Sequence, residues 1–231
     1  MTDSLTVVIP VYNEADLLEQ SVSAIEAYLA GSWPDHEIVI VESGSTDGSG
    51  ERCDALARRF PSIRVIHEGS RNGFGAAVKT GYRHAGKDAV TVVTVDQPFP
   101  LTSLDQARPL LDRVDCVLSY RATDPRPIGR RLQSFVYNTL VRAVLNLPMR
   151  HVNSALKVLR RDVAQRLIVG ADGWFFDAEL LYRVTSQRLS WMEIPVPLVD
   201  RAGGRGSVGP LTFLSLLREL LQFAKAERKR T

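Results

Sequence analysis

Continuous apolar runs constrain this chain more than any other feature: LTVVIPVY at residues 5–12, EIVIV at 37–41 and AVTVVTV at 89–95. A strand with one wet face alternates apolar and polar residues, whereas unbroken Val/Ile runs suit a parallel sheet covered on both faces by helices. Helical patterns at 14–30, 47–60 and 75–85 separate these runs, and a further strand pattern, IRVIHE, occupies 63–68. This alternation predicts successive βαβ units. The second half is less regular, with a strand at 116–120 and helices at 128–147, 177–188 and 211–226. No repeat or low-complexity linker interrupts the 231 residues, and 45% hydrophobic content fills a sizeable core, so one α/β domain spanning 1–231 is expected.

Ligands of open α/β sheets bind beyond the carboxyl ends of the strands. The residues there are polar: Pro10, Tyr12, Asn13 and Glu14 after the first strand, Glu42 to Asp47 after the second, and Asp96 after the fourth. Turn formation and helix capping by Ser45 or Thr46 account for each loop separately. They do not account for acidic and hydroxyl groups at three loops of one sheet edge, where a base, a ribose and a metal-bound phosphate need acceptors.

Cys53 and Cys116 have neither CxxC nor metal spacing, and so few thiols suit a reducing compartment. The opening MTDSLTVVIPVYNE lacks the basic start, apolar run and cleavage site of a secretory signal, so a cytoplasmic location is expected. Net charge is only +3, but Arg121, Arg126, Arg130 and Arg131 crowd one stretch and Arg228, Lys229 and Arg230 another. Such clusters attract phosphates or anionic surfaces, or are simply solvated.

Several motifs in order resemble the family-two inverting glycosyltransferases, and among them the dolichol-phosphate mannose synthase and polyprenyl-phosphate sugar synthase branch. IPVYNE looks like that family's P-x-Y-N-E opening, ESGSTDGS its D-D-G-S-T-D-G-S loop, and RNGFGAAVKTGYRHA its N-x-G-x-G-x-A helix start. The resemblance covers nearly the whole chain. It implies a GT-A (Rossmann-like), mostly parallel sheet with helices on both faces, a nucleotide-sugar-binding half at about 1–100 and an acceptor-binding half at about 101–231. Pro10, Tyr12, Glu14, Glu42, Ser45 and Asp47 would frame the base and ribose, with Arg71, Asn72 and the Gly73 to Gly75 turn near the nucleotide. The helix opened by Gly75 would offer its first amides to an anion.

Departures from the family pattern fall at Glu42 and Ser43, where paired aspartates are usual, and at Asp96, Gln97 and Pro98, where D-x-D is usual. Asp96 is then the one protein carboxylate for Mg²⁺ or Mn²⁺, and weak metal binding is expected. HVNSALKVLRRDV resembles the family's D-x-T-S-G-F-R segment, with His151 in place of aspartate and Ala155 in place of glycine. DGWFFDAELLYRV resembles its F-D-x-E-L helix, and DRAGGRGSVG its arginine-rich loop, in which Arg201 or Arg205 would bind diphosphate.

Arg130, Ser134 and Asn138 recur at i, i+4, i+8 and share one helix face, with Leu132, Phe135, Val136, Leu140 and Val141 available to pack elsewhere. By resemblance, Arg121, Arg130 and Ser134 bind an acceptor phosphate. The activity implied is transfer of a hexose from a GDP- or UDP-sugar to a polyprenyl phosphate with inversion. Two alternatives stand beside it: a hydroxyl acceptor, which needs a base such as Asp172 or Asp177, and a non-catalytic nucleotide-sugar-binding module acting with a partner. No nucleic-acid partner is expected. The helix at 211–226 carries one apolar strip at Leu211, Leu214, Leu217, Leu221 and Ala224 and a second at Leu216, Leu220 and Phe223. Arg218 and Glu219 keep it short of a membrane span, leaving two roles for it: peripheral docking on an anionic membrane, or core packing.

Overall fold

The computed structural model describes residues 2–199 and 210–229. Arg201 and Arg205 lie outside the described residues. The elements run β1 (Ser4–Val11), α1 (Ala15–Ser32), β2 (Asp35–Glu42), α2 (Ser49–Arg59), β3 (Ile63–His67), α3 (Phe74–His84) and β4 (Ala89–Val92). They continue through α4 (Ser103–Ala107), a 3₁₀ turn, β5 (Cys116–Arg121), α5 (Ile128–Leu145), β6 (Lys157–Arg160), α6 (Arg161–Arg166), α7 (Phe176–Ser186), β7 (Trp191–Val196) and α8 (Pro210–Arg228).

Among the described residues the strands form a seven-stranded sheet in the order β3-β2-β1-β4-β6-β5-β7. β1 to β4 pair in parallel, β5 pairs in parallel with β7, and β6 runs antiparallel between β4 and β5. β4 and β5 therefore point the same way, and their carboxyl ends share an edge with those of β1 and β2. Alternate residues of β1 feed opposite cores. Leu5, Val7 and Ile9 pack with α1 and α2, while Val8 packs beneath α3 in the core that also holds α5, α7 and α8. α3 sits so close to β1 that a Cβ on Gly81 would collide with the Val8 side chain.

Three sequence expectations need correction, and the packing of α8, left open by the sequence, can be read. The fourth strand ends at Val92, not 95. β6 and β7 were not anticipated: the first is only four residues long, and the second carries Pro195, tolerated because β7 is an edge strand. Leu132, Phe135, Val136 and Leu140 do not pack inward; of the apolar set named on α5 only Val141 is buried. The second apolar strip of α8 is the inward one, with Leu216 and Leu220 buried beside Ala224, while Leu221 is exposed. No helix among the described residues is long and apolar enough to cross a membrane.

Candidate active site

The first two strand-end loops are stitched together by side chains. Asn13, in the left-handed region at φ 55, donates its N–H to Ser45 Oγ at 3.1 Å and accepts from the Thr46 N–H at 2.9 Å. Asp47 accepts from the Ala15 N–H at 3.0 Å, the Ser49 N–H at 3.0 Å and the Ser49 hydroxyl at 2.6 Å, tying the start of α1 to the start of α2. Glu14 N–H donates to Ser49 Oγ at 3.0 Å, and the Glu14 carbonyl accepts from Leu17 and Leu18 at the head of α1. Pro10 lies in β1 opposite Val41 of β2. Gly44, at φ 70, backs onto Ser70, where any Cβ would come within 2.9 Å of the Ser70 Cα.

Glu42 is buried at the end of β2 and accepts from the Ser45 N–H and from His67 Nδ1 at 3.0 Å. Burial pushes the Glu42 carboxyl up, but the Ser45 amide and the His67 ring outweigh it and hold the group below its usual 4.5. Asp47 is likewise held low against burial, by Ser49 and the Ala15 amide. His67 bridges Glu42 and Asp54, with Nε2 3.0 Å from Asp54, and both carboxylates raise it above 6.5. Its contribution to stability is thus complete below pH 6.5 and lost as pH rises through its raised pKa; that of Glu42 is present above pH 4.5 and lost as pH falls through its depressed one. His67→Ala should therefore destabilise the protein more at pH 6 than at pH 9 in urea titrations, by on the order of 1 kcal/mol or less because the ring is partly exposed. An equal penalty at both pH values would remove the ion pair from this account.

Arg71 lays its guanidinium 4.4 Å from the centre of the Tyr12 ring, bringing the loop after β3 to the same place. Asn72 accepts from Ser70 Oγ at 3.2 Å. Thus Tyr12, Glu42, Ser45, Asp47 and Arg71 converge. Gly75 meets a different neighbour: a Cβ there would lie 2.6 Å from the Ala171 carbonyl, and the Ala76 N–H donates to the Asp172 carbonyl at 3.1 Å. Close backbone packing thus accounts for this glycine, and the chain itself uses one of the first amides of α3. Phe74 stacks on Trp174 with centroids 5.0 Å apart.

Asp96 follows β4 in a turn closed by the Gln97 N–H on the Thr94 carbonyl, and it accepts from the Thr94 hydroxyl. Gln97 spends its amide NH₂ on the Ser21 carbonyl at 3.0 Å and the Ser21 hydroxyl at 2.8 Å. No group of three or more His, Cys, Asp or Glu side chains able to hold a metal occurs among the described residues. A lone carboxylate such as Asp96 at this edge fits an ion that arrives with oxygens of its own from a diphosphate.

At the end of β5, Arg121 donates to Ser134 Oγ at 3.0 Å and to the Asn153 carbonyl, while its own N–H meets Nδ1 of His151 at 3.4 Å. Burial, then the charge of Arg126, brings the Arg121 guanidinium down to about 10, so it stays charged at neutral pH. Burial, then Arg121 and Arg142, lowers His151, leaving a neutral ring whose Nδ1 can accept. Arg126 makes a bidentate pair with Asp124 at 2.8 and 2.6 Å and reaches Ser134 Oγ at 3.4 Å. Arg130 is exposed one helical turn before Ser134. Arg126 and Asn153 are neighbours the sequence reading did not assign; the crowding of arginines was the available signal for the first. The antiparallel β6 separates Asp96 from Arg121, which puts the two loci about two strand spacings, roughly 10 Å, apart.

Both candidate bases for a hydroxyl acceptor are engaged in ion pairs. Asp172 lies 2.6 Å from Lys79 Nζ, and Asp177 lies 3.0 Å from the buried Lys157.

Residues 6–168 match the family described as Glycosyl transferase family 2. The chain belongs to that family. It is a nucleotide-sugar-dependent glycosyltransferase with the GT-A fold. An undecaprenyl-phosphate mannosyltransferase of Micrococcus luteus is 23% identical over 212 residues, covering 87% of this chain and 86% of the relative. A polyprenol monophosphomannose synthase of Mycolicibacterium smegmatis is 26% identical over 217 residues, covering 88% and 80%. Among solved structures, a mannosyltransferase of Pyrobaculum calidifontis in complex with GDP-Man and Mn²⁺ superimposes with TM-score 0.66 at 25% identity, over 98% of this chain and 64% of that one. Glucosyl-3-phosphoglycerate synthase of Mycobacterium tuberculosis, bound to Mn²⁺, UDP and glucosyl-3-phosphoglycerate, gives 0.73 at 20% identity, over 95% and 79%.

Proposed function

We propose that this glycosyltransferase moves a hexose from a GDP- or UDP-sugar to a polyprenyl phosphate with inversion at the anomeric carbon. The observation that carries this reading is the buried, charged Arg121 held beside Ser134 at the same sheet edge as Asp96. Its Nε, like the hydroxyl of nearby Ser154, is buried with no hydrogen-bond partner among the described residues, and both can donate to an oxyanion. The relatives named for polyprenyl phosphates support the acceptor class.

An acceptor phosphate is ionised at neutral pH, so its oxygen attacks the anomeric carbon without a protein base, and the nucleoside diphosphate leaves. The chain's task is alignment and charge neutralisation. Arg121 and Ser134 would hold the acceptor, with Arg130 free to swing in from the first turn of α5. Tyr12, Glu42, Ser45, Asp47, Arg71 and Asn72 would enclose the nucleoside, with Pro10 and Glu14 shaping its walls and Arg201 or Arg205 binding the diphosphate, while Gly75 serves the packing of α3 on residues 171 and 172. A divalent ion, when bound, neutralises the leaving diphosphate, and Asp96 is the residue that would hold it. Engagement of Asp172 and Asp177 by lysines disfavours a hydroxyl acceptor. A lipid acceptor would bring the enzyme to a membrane surface.

The test is purified protein with each donor and a short-chain polyprenyl phosphate, the product read by mass spectrometry. Polyprenyl-phosphate hexose and free nucleoside diphosphate are expected; transfer only to hydroxyl compounds, or nucleotide binding without turnover, would overturn the reading. Because one carboxylate serves the metal, activity should require high Mn²⁺ or survive EDTA. Complete loss in EDTA with full rescue by micromolar Mn²⁺ would show a strong metal site and contradict this assignment.

A further inference from the structure

We infer that the outward face of α5 rests on an anionic lipid surface. Ile128, Leu132, Phe135, Val136 and Leu140 occupy an arc of roughly 140° at the 100° per residue of an α-helix. All five are exposed, Ile128 by 80%, Phe135 by 67% and Leu132 by 60%. An apolar stripe of this kind on an otherwise well-packed chain needs a covering partner.

Charge on the same helix selects that partner. α5 reads IGRRLQSFVYNTLVRAVL, with arginines at 130, 131 and 142 and no acidic residue. A second copy of this chain docked face to face would oppose arginine with arginine. An anionic bilayer takes both components: the stripe enters the acyl boundary while Arg131 and Arg142, exposed along its border, meet lipid phosphates. Eighteen residues give a helix about 27 Å long, lying in the surface and not through it.

The opposite face of α5 carries Ser134, bonded to Arg121. One helix thus presents its outer side to the lipid and its inner side to the acceptor phosphate, which brings a membrane-anchored headgroup to the reaction edge. This deepens the polyprenyl-phosphate reading and rests on it for its purpose, while vesicle binding itself needs neither donor nor acceptor. The inward packing of Leu216 and Leu220 in the core that holds Tyr137, Val141 and Leu145 makes α8 a support for α5.

The experiment is co-sedimentation of the full chain with vesicles of phosphatidylcholine alone or mixed with phosphatidylglycerol, for the wild type and for a Leu132→Glu, Phe135→Glu double variant. The wild type should sediment with mixed vesicles. The double variant should lose at least about tenfold in partitioning, since two apolar side chains become charged in the interface. Its melting temperature, nucleoside-diphosphate affinity and transfer to a water-soluble short-chain acceptor should be unchanged, because both side chains already face outward. Equal partitioning of the two proteins, or no wild-type binding to either vesicle, overturns the inference. So does a dimer in light scattering that the double variant dissolves, which would make the face a contact between copies. Sedimentation without any transfer would overturn the acceptor reading alone, and transfer to the soluble acceptor without sedimentation would overturn this inference alone.

Discussion

Replacing Arg121 with alanine should lower kcat/KM for transfer to a polyprenyl phosphate by about 10²–10³-fold, the loss typical of one preorganised donor to developing or bound negative charge. Arg121 is well suited to produce so large an effect. It is buried, its pKa of about 10 still keeps it ionised at neutral pH, and Ser134, the Asn153 carbonyl and His151 fix its orientation before any ligand arrives. Donor affinity should change little, since the nucleoside loops lie on β1, β2 and β3, on the other side of β4 and β6. Removal also strands Asn153, so melting must be followed in parallel, and Arg121→Lys supplies the control. Lysine keeps the charge but not the fork that reaches Ser134 and Asn153 together, and should recover part of the rate. Full activity in either variant, or equal loss of nucleoside-diphosphate binding, would remove Arg121 from the acceptor site.

Lys157→Ala should destabilise the fold by about 2–4 kcal/mol, somewhat under the range for a wholly buried pair because the Asp177 side chain keeps 26% of its exposure. Lys157 is 7% exposed, donates to the Ser154 carbonyl at 2.7 Å and pairs with Asp177 at 3.0 Å, so truncation leaves a carboxylate facing a gap. A Lys157→Met, Asp177→Asn double variant should lose less than the sum of its two single changes, since neither charge is then left unmatched. Urea denaturation at pH 7 measures the wild type and all four variants. Strict additivity, or a Lys157→Ala cost under about 0.5 kcal/mol, would reduce the pair to an incidental contact.

The first half of the chain was legible because its strands are continuous apolar runs and each ends in a polar loop. Residues such as Glu42 and Asp47 could be named from the sequence, but not the bonds they make to Ser45, Ala15 and Ser49, since these depend on how two loops meet. β6 was illegible for a physical reason: KVLR is four residues long, opens with a lysine whose burial depends on distant Asp177, and pairs with strands remote in sequence. Arg121 and Ser134 were singled out through the motif resemblance, and the structure pairs them, while Arg126 was visible only as one of several arginines. On α5 the helical period was correct and the direction wrong, because periodicity marks an apolar face without saying what covers it.

The reversed strand at the middle of the sheet has a consequence for how the protein is made. While the ribosome is still synthesising residues 97–156, Ala89–Val92 is an uncapped apolar edge, since the segment that covers it, Lys157–Arg160, emerges only afterwards. An edge of that kind is a template on which another chain can pair. A gene cut before residue 157 should therefore yield a chain with an open β4 edge, prone to association.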